Sequence, residues 1–149
     1  MTGNIRALAL AYIRHGDDVL VMKVKDEVPG DARICRLIGG GIEFGEASEA
    51  ALRRELAEEL GVTVTQERYL GTVENIFMNL GQTGHEICQI YAVTLDDLQA
   101  LRQRGDRFEV TEDNLTPYTA VWRPWDDFTS GRAILFPNNV LSLLQAEKR

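Results

Sequence analysis

Between Gly40 and Val62 the sequence sets six acids (Glu43, Glu46, Glu49, Glu55, Glu58, Glu59) against two bases (Arg53, Arg54), so −4 of the chain's formal charge of −7 lies in this segment. Glu55, Glu58 and Glu59 stand three and four residues apart, a spacing that stacks their carboxylates on one patch of a helix. Like charges so placed destabilise a helix by about 0.2–0.5 kcal/mol per pair. A solvated acidic face is the plain reading of such a run. The chemical reading is a seat for a hard divalent cation, which takes several carboxylate oxygens together with carbonyls and water. Arg54, four residues before Glu58, offsets part of the repulsion, and Glu46 can fold back toward Arg54. Just upstream, Gly39-Gly40-Gly41 is expected to form a turn whose backbone can approach a ligand closely and lend a carbonyl. Glycines followed by an acid-lined helix suit a metal bridging to phosphate.

Those carboxylates need a helix to hold them, and the sequence supplies one over Ala47 to Leu60. Leu52, Leu56 and Leu60 recur every four residues as an apolar stripe, and Gly61 stands at the C-terminal stop. Before it, Ile5 to Ile13 and Val19 to Val24 are β-rich runs joined by His15-Gly16-Asp17-Asp18, which reads as a hairpin. Asp26 to Arg33 reads as a loop and Ile34 to Ile38 as a short strand. After the helix, Val62 to Thr65 and Tyr69 to Met78 are expected to be extended, and Asn79 to Gly84 to turn. Glu86 to Leu95 is apolar on both sides and hence expected to be a central strand. Asp96 to Arg104 is a helix or loop, Tyr118 to Trp122 a further strand, and Pro137 is expected to open a final helix through Leu144. The whole reads as one α/β domain over residues 1–149.

With 44% apolar and 26% charged residues among 149, the chain has the composition of a soluble globule with a real core. No run approaches the ~18 apolar residues of a membrane span, and the start lacks the pattern of a signal peptide. Cys35 and Cys88 do not make a disulfide framework; reduced thiols in a cytoplasmic protein are expected, and no membrane partner. The acidic balance argues against a nucleic-acid polymer as partner, since such binding neutralises phosphates with Lys and Arg. It leaves room for a small phosphorylated ligand if a cation mediates.

Gly40, Glu46, Arg54-Glu55-Leu56, Glu58-Glu59 and Gly61-Val62 match the Nudix (MutT-like) signature at every specified position, so the chain resembles that family. A chance match is on the order of 10⁻⁹ per start point. The resemblance implies an α/β/α sandwich with a mixed β-sheet and a central catalytic helix. It also implies hydrolysis of a nucleoside diphosphate linked to another group, with Mg²⁺ or Mn²⁺. On this analogy Glu55, Glu58 and Glu59 hold the metal with a carbonyl of Gly39 or Gly40, Gly40 being the choice for ligand. Arg54 orients Glu55, Glu46 fixes Arg54, and Arg36, Gly39 and Gly41 are assigned to substrate binding. Relatives often recruit an acid outside this signature, the Nudix box, which here runs from Gly40 to Val62. Glu86, opening a central strand, is the first candidate, with a surface acid as its alternative, and Glu112 is the second.

His85 is either a phosphate or base contact or an exposed turn residue. Arg36 either clamps a phosphate or is an exposed strand arginine. Phe77, Tyr91, Trp122 and Trp125 are stacking candidates, but aromatics are more often core, and Trp122 in particular reads as packing. Many members have an aromatic and a proline ahead of the glycines, where this chain has Leu37-Ile38, and the substrate markers found downstream of the box in some subfamilies are absent. The leading expectation for substrate is a nucleoside triphosphate, oxidised ones included, with ADP-ribose or a nucleotide sugar second. A catalytically silent nucleotide sensor would be expected to lack a box carboxylate, and an isoprenyl diphosphate isomerase would want a cysteine–glutamate pair that neither cysteine clearly supplies. Monomer and homodimer both stay open.

Overall fold

The computed structural model describes residues 3–24, 33–111 and 117–147. In chain order its elements are β1 (Ile5–Tyr12), β2 (Arg14–His15), β3 (Asp18–Lys23), β4 (Ile34–Arg36), β5 (Ile38–Gly41), α1 (Ser48–Leu60), β6 (Val64–Asn79) and β7 (Gln82–Leu95). They continue as α2 (Leu98–Arg102), β8 (Arg107–Val110), β9 (Tyr118–Pro124), α3 (Trp125–Thr129), β10 (Ile134–Phe136) and α4 (Val140–Gln145). Among these residues the strands form two sheets, one in the order β5-β1-β7-β6 and one in the order β10-β4-β3-β9-β8, with β2 on β3. Each sheet is mixed: β1 runs parallel to β7 and β10 parallel to β4, while the other pairs are antiparallel.

The alternation of side chains along β1 divides the interior in two. Ala9 and Ala11 face one way and pack with Ala51, Leu52, Leu56 and Leu60 of α1. Leu8, Leu10 and Tyr12 face the other way and pack with Phe128 of α3 and Val140 and Leu144 of α4. A strand buried on both faces reads as a continuous apolar run, as Leu8 to Ile13 does. Helices on both sides of the strands give the α/β/α sandwich. Both cysteines are free and buried, and burial pushes the Cys88 thiol up to about 11. Among the described residues no helix is long and apolar enough to cross a membrane.

Several elements differ from the sequence expectation, each for a tertiary reason. The glycine run is not a turn: Gly39, Gly40 and Gly41 lie in β5, opposite Leu10, Ala9 and Leu8 of β1. The segments expected at Val62 to Thr65 and Tyr69 to Met78 are parts of one strand, β6, whose register shifts at Val64/Gln66 and Tyr69/Gly71 interrupt its alternation. The expected six-residue turn shrinks to Leu80-Gly81, because Gln82, Thr83 and Gly84 pair with β6. Pro137 does not open the last helix. The Asn138 N–H donates to the Asn75 side-chain oxygen (3.0 Å) and Asn139 adopts a left-handed backbone, so α4 starts at Val140. β8, α3 and β10 are short elements without a periodic signature of their own, and pairing with β9 and β4 is what makes β8 and β10 strands.

Candidate active site

The site is built on α1 and the β5 strand beside it. Ala47 precedes the helix without a side-chain cap; instead the Ser48 and Tyr91 hydroxyls share a hydrogen bond of 2.5 Å, tying the first turn to β7. At the other end Gly61, at φ 67°, turns the chain out and returns its N–H to the Ala57 carbonyl (3.0 Å). The buried stripe of Leu52, Leu56 and Leu60 fixes which way the helix faces, and so leaves Arg54, Glu55 and Glu58 directed toward β5 and solvent.

Arg54 is the hub. Its Nε and Nη2 donate to both Glu46 oxygens (2.8 and 2.9 Å), a bidentate pair. Nη2 also donates to the Gly41 carbonyl (2.9 Å), and Nη1 donates to Glu55 (2.9 Å) and Glu58 (3.3 Å). One guanidinium therefore joins strand, loop and helix. Its hydrogen bonds to Glu46 hold that carboxyl at about 2, helped by the Glu43 N–H, which donates to the same carboxylate. The carboxylates in turn raise Arg54 above its ordinary value, Glu46 first and then Glu55.

Glu55 rests directly on Gly40: a Cβ added there would lie 2.3–2.7 Å from its carboxyl atoms. Any side chain at 40 would thus push the Glu55 carboxylate from its place. Glu59 turns another way and accepts from the Tyr118 hydroxyl (3.3 Å). Among the described residues no three Asp, Glu, His or Cys side chains converge as they stand into a metal-holding group, because Arg54 draws Glu55 and Glu58 to itself. The donor set nevertheless suits a hard divalent ion: three carboxylates on one helix, with the β5 backbone at their side.

Glu86 is not brought to these carboxylates. In the β1–β7 register it lies opposite Arg6, in line with the Leu8–Cys88 pair that packs on the α3–α4 side. Alternation therefore directs it to the face opposite α1. There it is 2% exposed and bonded to Arg36 Nη2 (2.9 Å) and Asn75 Nδ2 (3.2 Å), with Arg6 at 3.9 Å. Glu86 is held in a buried ion pair, since a buried carboxylate needs a partner. Arg36 is that partner. Gly39 is packed so tightly on β1 that a Cβ would lie 2.1 Å from the Ala9 carbonyl, and Gly41 presents its carbonyl to Arg54.

Of the other candidates, His85 lies 3.8 Å from Glu74, and Phe77 lies against Gly84, where a Cβ would strike its ring. Tyr91 and Trp122 are core, and Trp125 stacks at a tilt on Tyr12, 6.1 Å between ring centres. Glu112 lies outside the described residues. Sequence reasoning missed Tyr118, Asn75 and Arg6. For Asn75 the signal was a polar residue at an inward position of an extended run; for Tyr118 and Arg6 only long-range pairing reveals the role.

The NUDIX domain model matches residues 4–136. The chain belongs to the Nudix family. It is 27% identical over 127 residues to the NAD-capped RNA hydrolase NudC of Mycobacterium tuberculosis, covering 75% of this chain and 40% of that protein. The chain spans less than half the length of the curated relatives it matches, 28% and 40% of the NudC proteins of Haemophilus influenzae and M. tuberculosis. In fold it is similar to a MutT NUDIX hydrolase of Burkholderia pseudomallei, at a TM-score of 0.64 and 20% identity over 97% of this chain and 99% of that one. It is also similar to a structure described as an ADP compounds hydrolase, at a TM-score of 0.57 and 19% identity over 98% and 74%. The Nudix fold is thereby common to chains of quite different sequence.

Proposed function

We propose that this Nudix chain is a divalent-metal-dependent pyrophosphohydrolase. Its substrate is a nucleoside diphosphate linked to another group, with a nucleoside triphosphate, oxidised ones included, as the leading case. The observation that carries this reading is the single guanidinium of Arg54 holding Glu46, Glu55 and Glu58 against the β5 backbone. A diphosphate is anionic and repels hydroxide, so its charge must be offset before a nucleophile can attack. Glu55, Glu58, Glu59 and the Gly40 carbonyl are the groups that would hold Mg²⁺ or Mn²⁺. Such an ion, when bound, supplies positive charge to phosphate oxygens and lowers the pKa of a water.

The chain's own residues do the rest. Arg54 holds Glu55 and Glu58 in position by hydrogen bonds, and Glu46 anchors Arg54 so that it does not follow them. Glu59 is held apart from that clamp by the Tyr118 hydroxyl. Arg36, paired with Glu86 and 21% exposed at its side chain, is assigned a cationic contact with substrate. We place the protein in the cytoplasm with both thiols reduced.

A second reading follows from NudC, whose name gives an NAD-capped RNA as its substrate: an adenine dinucleotide or ADP-ribose, likewise a diphosphate, with the net charge of −7 weighing against a long RNA. The test is a panel of nucleoside triphosphates, NAD, ADP-ribose, nucleotide sugars and capped RNA with Mg²⁺, with products identified, alongside Glu58→Gln. One class should be cleaved within its diphosphate, and the variant should keep its fold while losing about 10²–10⁴ in turnover. Unchanged turnover at saturating Mg²⁺ would overturn the assignment of the site.

A further inference from the structure

A cavity of about 730 Å³ lies where β6 and β7 run past the end of β1, reached from α1 by Arg53 but not by the box carboxylates. That volume is in the range of small-molecule sites. Its wall carries three guanidinium groups, Arg14, Arg53 and Arg68, and two carboxylates, Glu67 and Glu147. Arg53 and Arg54 are neighbours on α1 yet diverge. Arg54 reaches β5, while Arg53 reaches across to the Val64 carbonyl and the Glu67 carboxylate of β6. Two of the three cations are matched within the wall, Arg53 to Glu67 and Arg68 to Glu147. Arg14 is not. Its Nη2 donates to the Gly16 carbonyl (3.1 Å), its Nε is buried without an acceptor, and no carboxylate among the described residues pairs with it.

We propose that this cavity is a binding site for a small phosphate-bearing anion, separate from the box. A planar guanidinium takes two phosphate oxygens at once, and three guanidinium groups lining one cavity with a single surplus positive charge favour a compact anion with several oxygens. The lining is mostly polar, and no open aromatic wall invites a base, so the phosphate group is what the site recognises. Arg53 and Arg68, 43% and 65% exposed at their side chains, are free to turn from their carboxylates to an anion held first by Arg14. The phosphate can come from free pyrophosphate or orthophosphate, or from a nucleoside monophosphate.

The test is titration of the full chain, followed by amide NMR and calorimetry, in EDTA and at constant ionic strength. The probes are pyrophosphate, orthophosphate and a nucleoside monophosphate, with sodium chloride as the control. Saturable binding is expected, with shifts at Ala92 to Thr94 and around Arg14. Arg14→Gln should weaken it about tenfold or more. Glu147→Gln, which frees Arg68, should tighten it several-fold and decides the matter if the first variant does not fold. Glu58→Gln should leave it unchanged, which separates this site from the box. Tighter binding of the monophosphate than of both inorganic anions assigns the source to nucleotide, and the reverse assigns it to free phosphate. No saturable binding of any probe, indifference to both cavity substitutions, or loss of binding in Glu58→Gln would overturn the proposal.

Discussion

At the scale of single residues the site depends on two close approaches. Gly40 leaves room for the Glu55 carboxyl, so Gly40→Ala should displace Glu55 and lower turnover by about 10²-fold, with little change in thermal midpoint. Steady-state kinetics beside a melting curve separates the two effects. The other is the Glu46–Arg54 clamp. Glu46 has its pKa depressed to about 2, so its contribution to stability is complete above the ordinary carboxylate range and is lost as the pH falls from there through about 2. A carbon-detected NMR titration should place the Glu46 midpoint there, and Arg54→Gln should return it to the ordinary range. A midpoint already ordinary in the native chain would show that the clamp does not hold in solution.

At the scale of elements, α1 is held by its apolar stripe rather than by capping. Leu56 is fully buried in the cluster that holds Ala9, Ala11 and Ile38, so Leu56→Ala should destabilise the chain by about 2–5 kcal/mol, read by denaturant unfolding. This helix was legible in the sequence down to its stop at Gly61, because the leucine spacing and the glycine act locally. β5 was not. Three glycines carry no strand propensity, and only pairing with β1 makes them a strand. β6 was legible in part, its bulges hiding that two runs form one strand. The start of α4 was displaced by the hydrogen bond from Asn138 to Asn75, a contact 63 residues apart in the chain.

At the scale of the molecule, the Arg36–Glu86 pair spans the two sheets, from β4 to β7. Removing one partner leaves a buried charge, so Arg36→Met should destabilise the fold by about 3–5 kcal/mol. Joining it to Glu86→Leu should recover most of that loss. A double-mutant cycle by urea unfolding measures the coupling. A merely additive result would show that the two residues act independently. If Arg36 also meets substrate, KM rises in the double variant while the fold is restored, which separates contact from scaffold.

By itself the sequence determined the family signature, the carboxylate helix and the excess of charge in that segment. These rest on spacings of a few residues, and helical geometry converts such spacings directly into neighbours. Tertiary structure alone decided that the glycines form a strand under Glu55 and that Glu86 faces away from the box toward Arg36. It alone decided that Arg14 shares a cavity with Arg53 and Arg68. Each of these depends on which strands pair and in what register, and a shift of one residue reverses the face to which every side chain points.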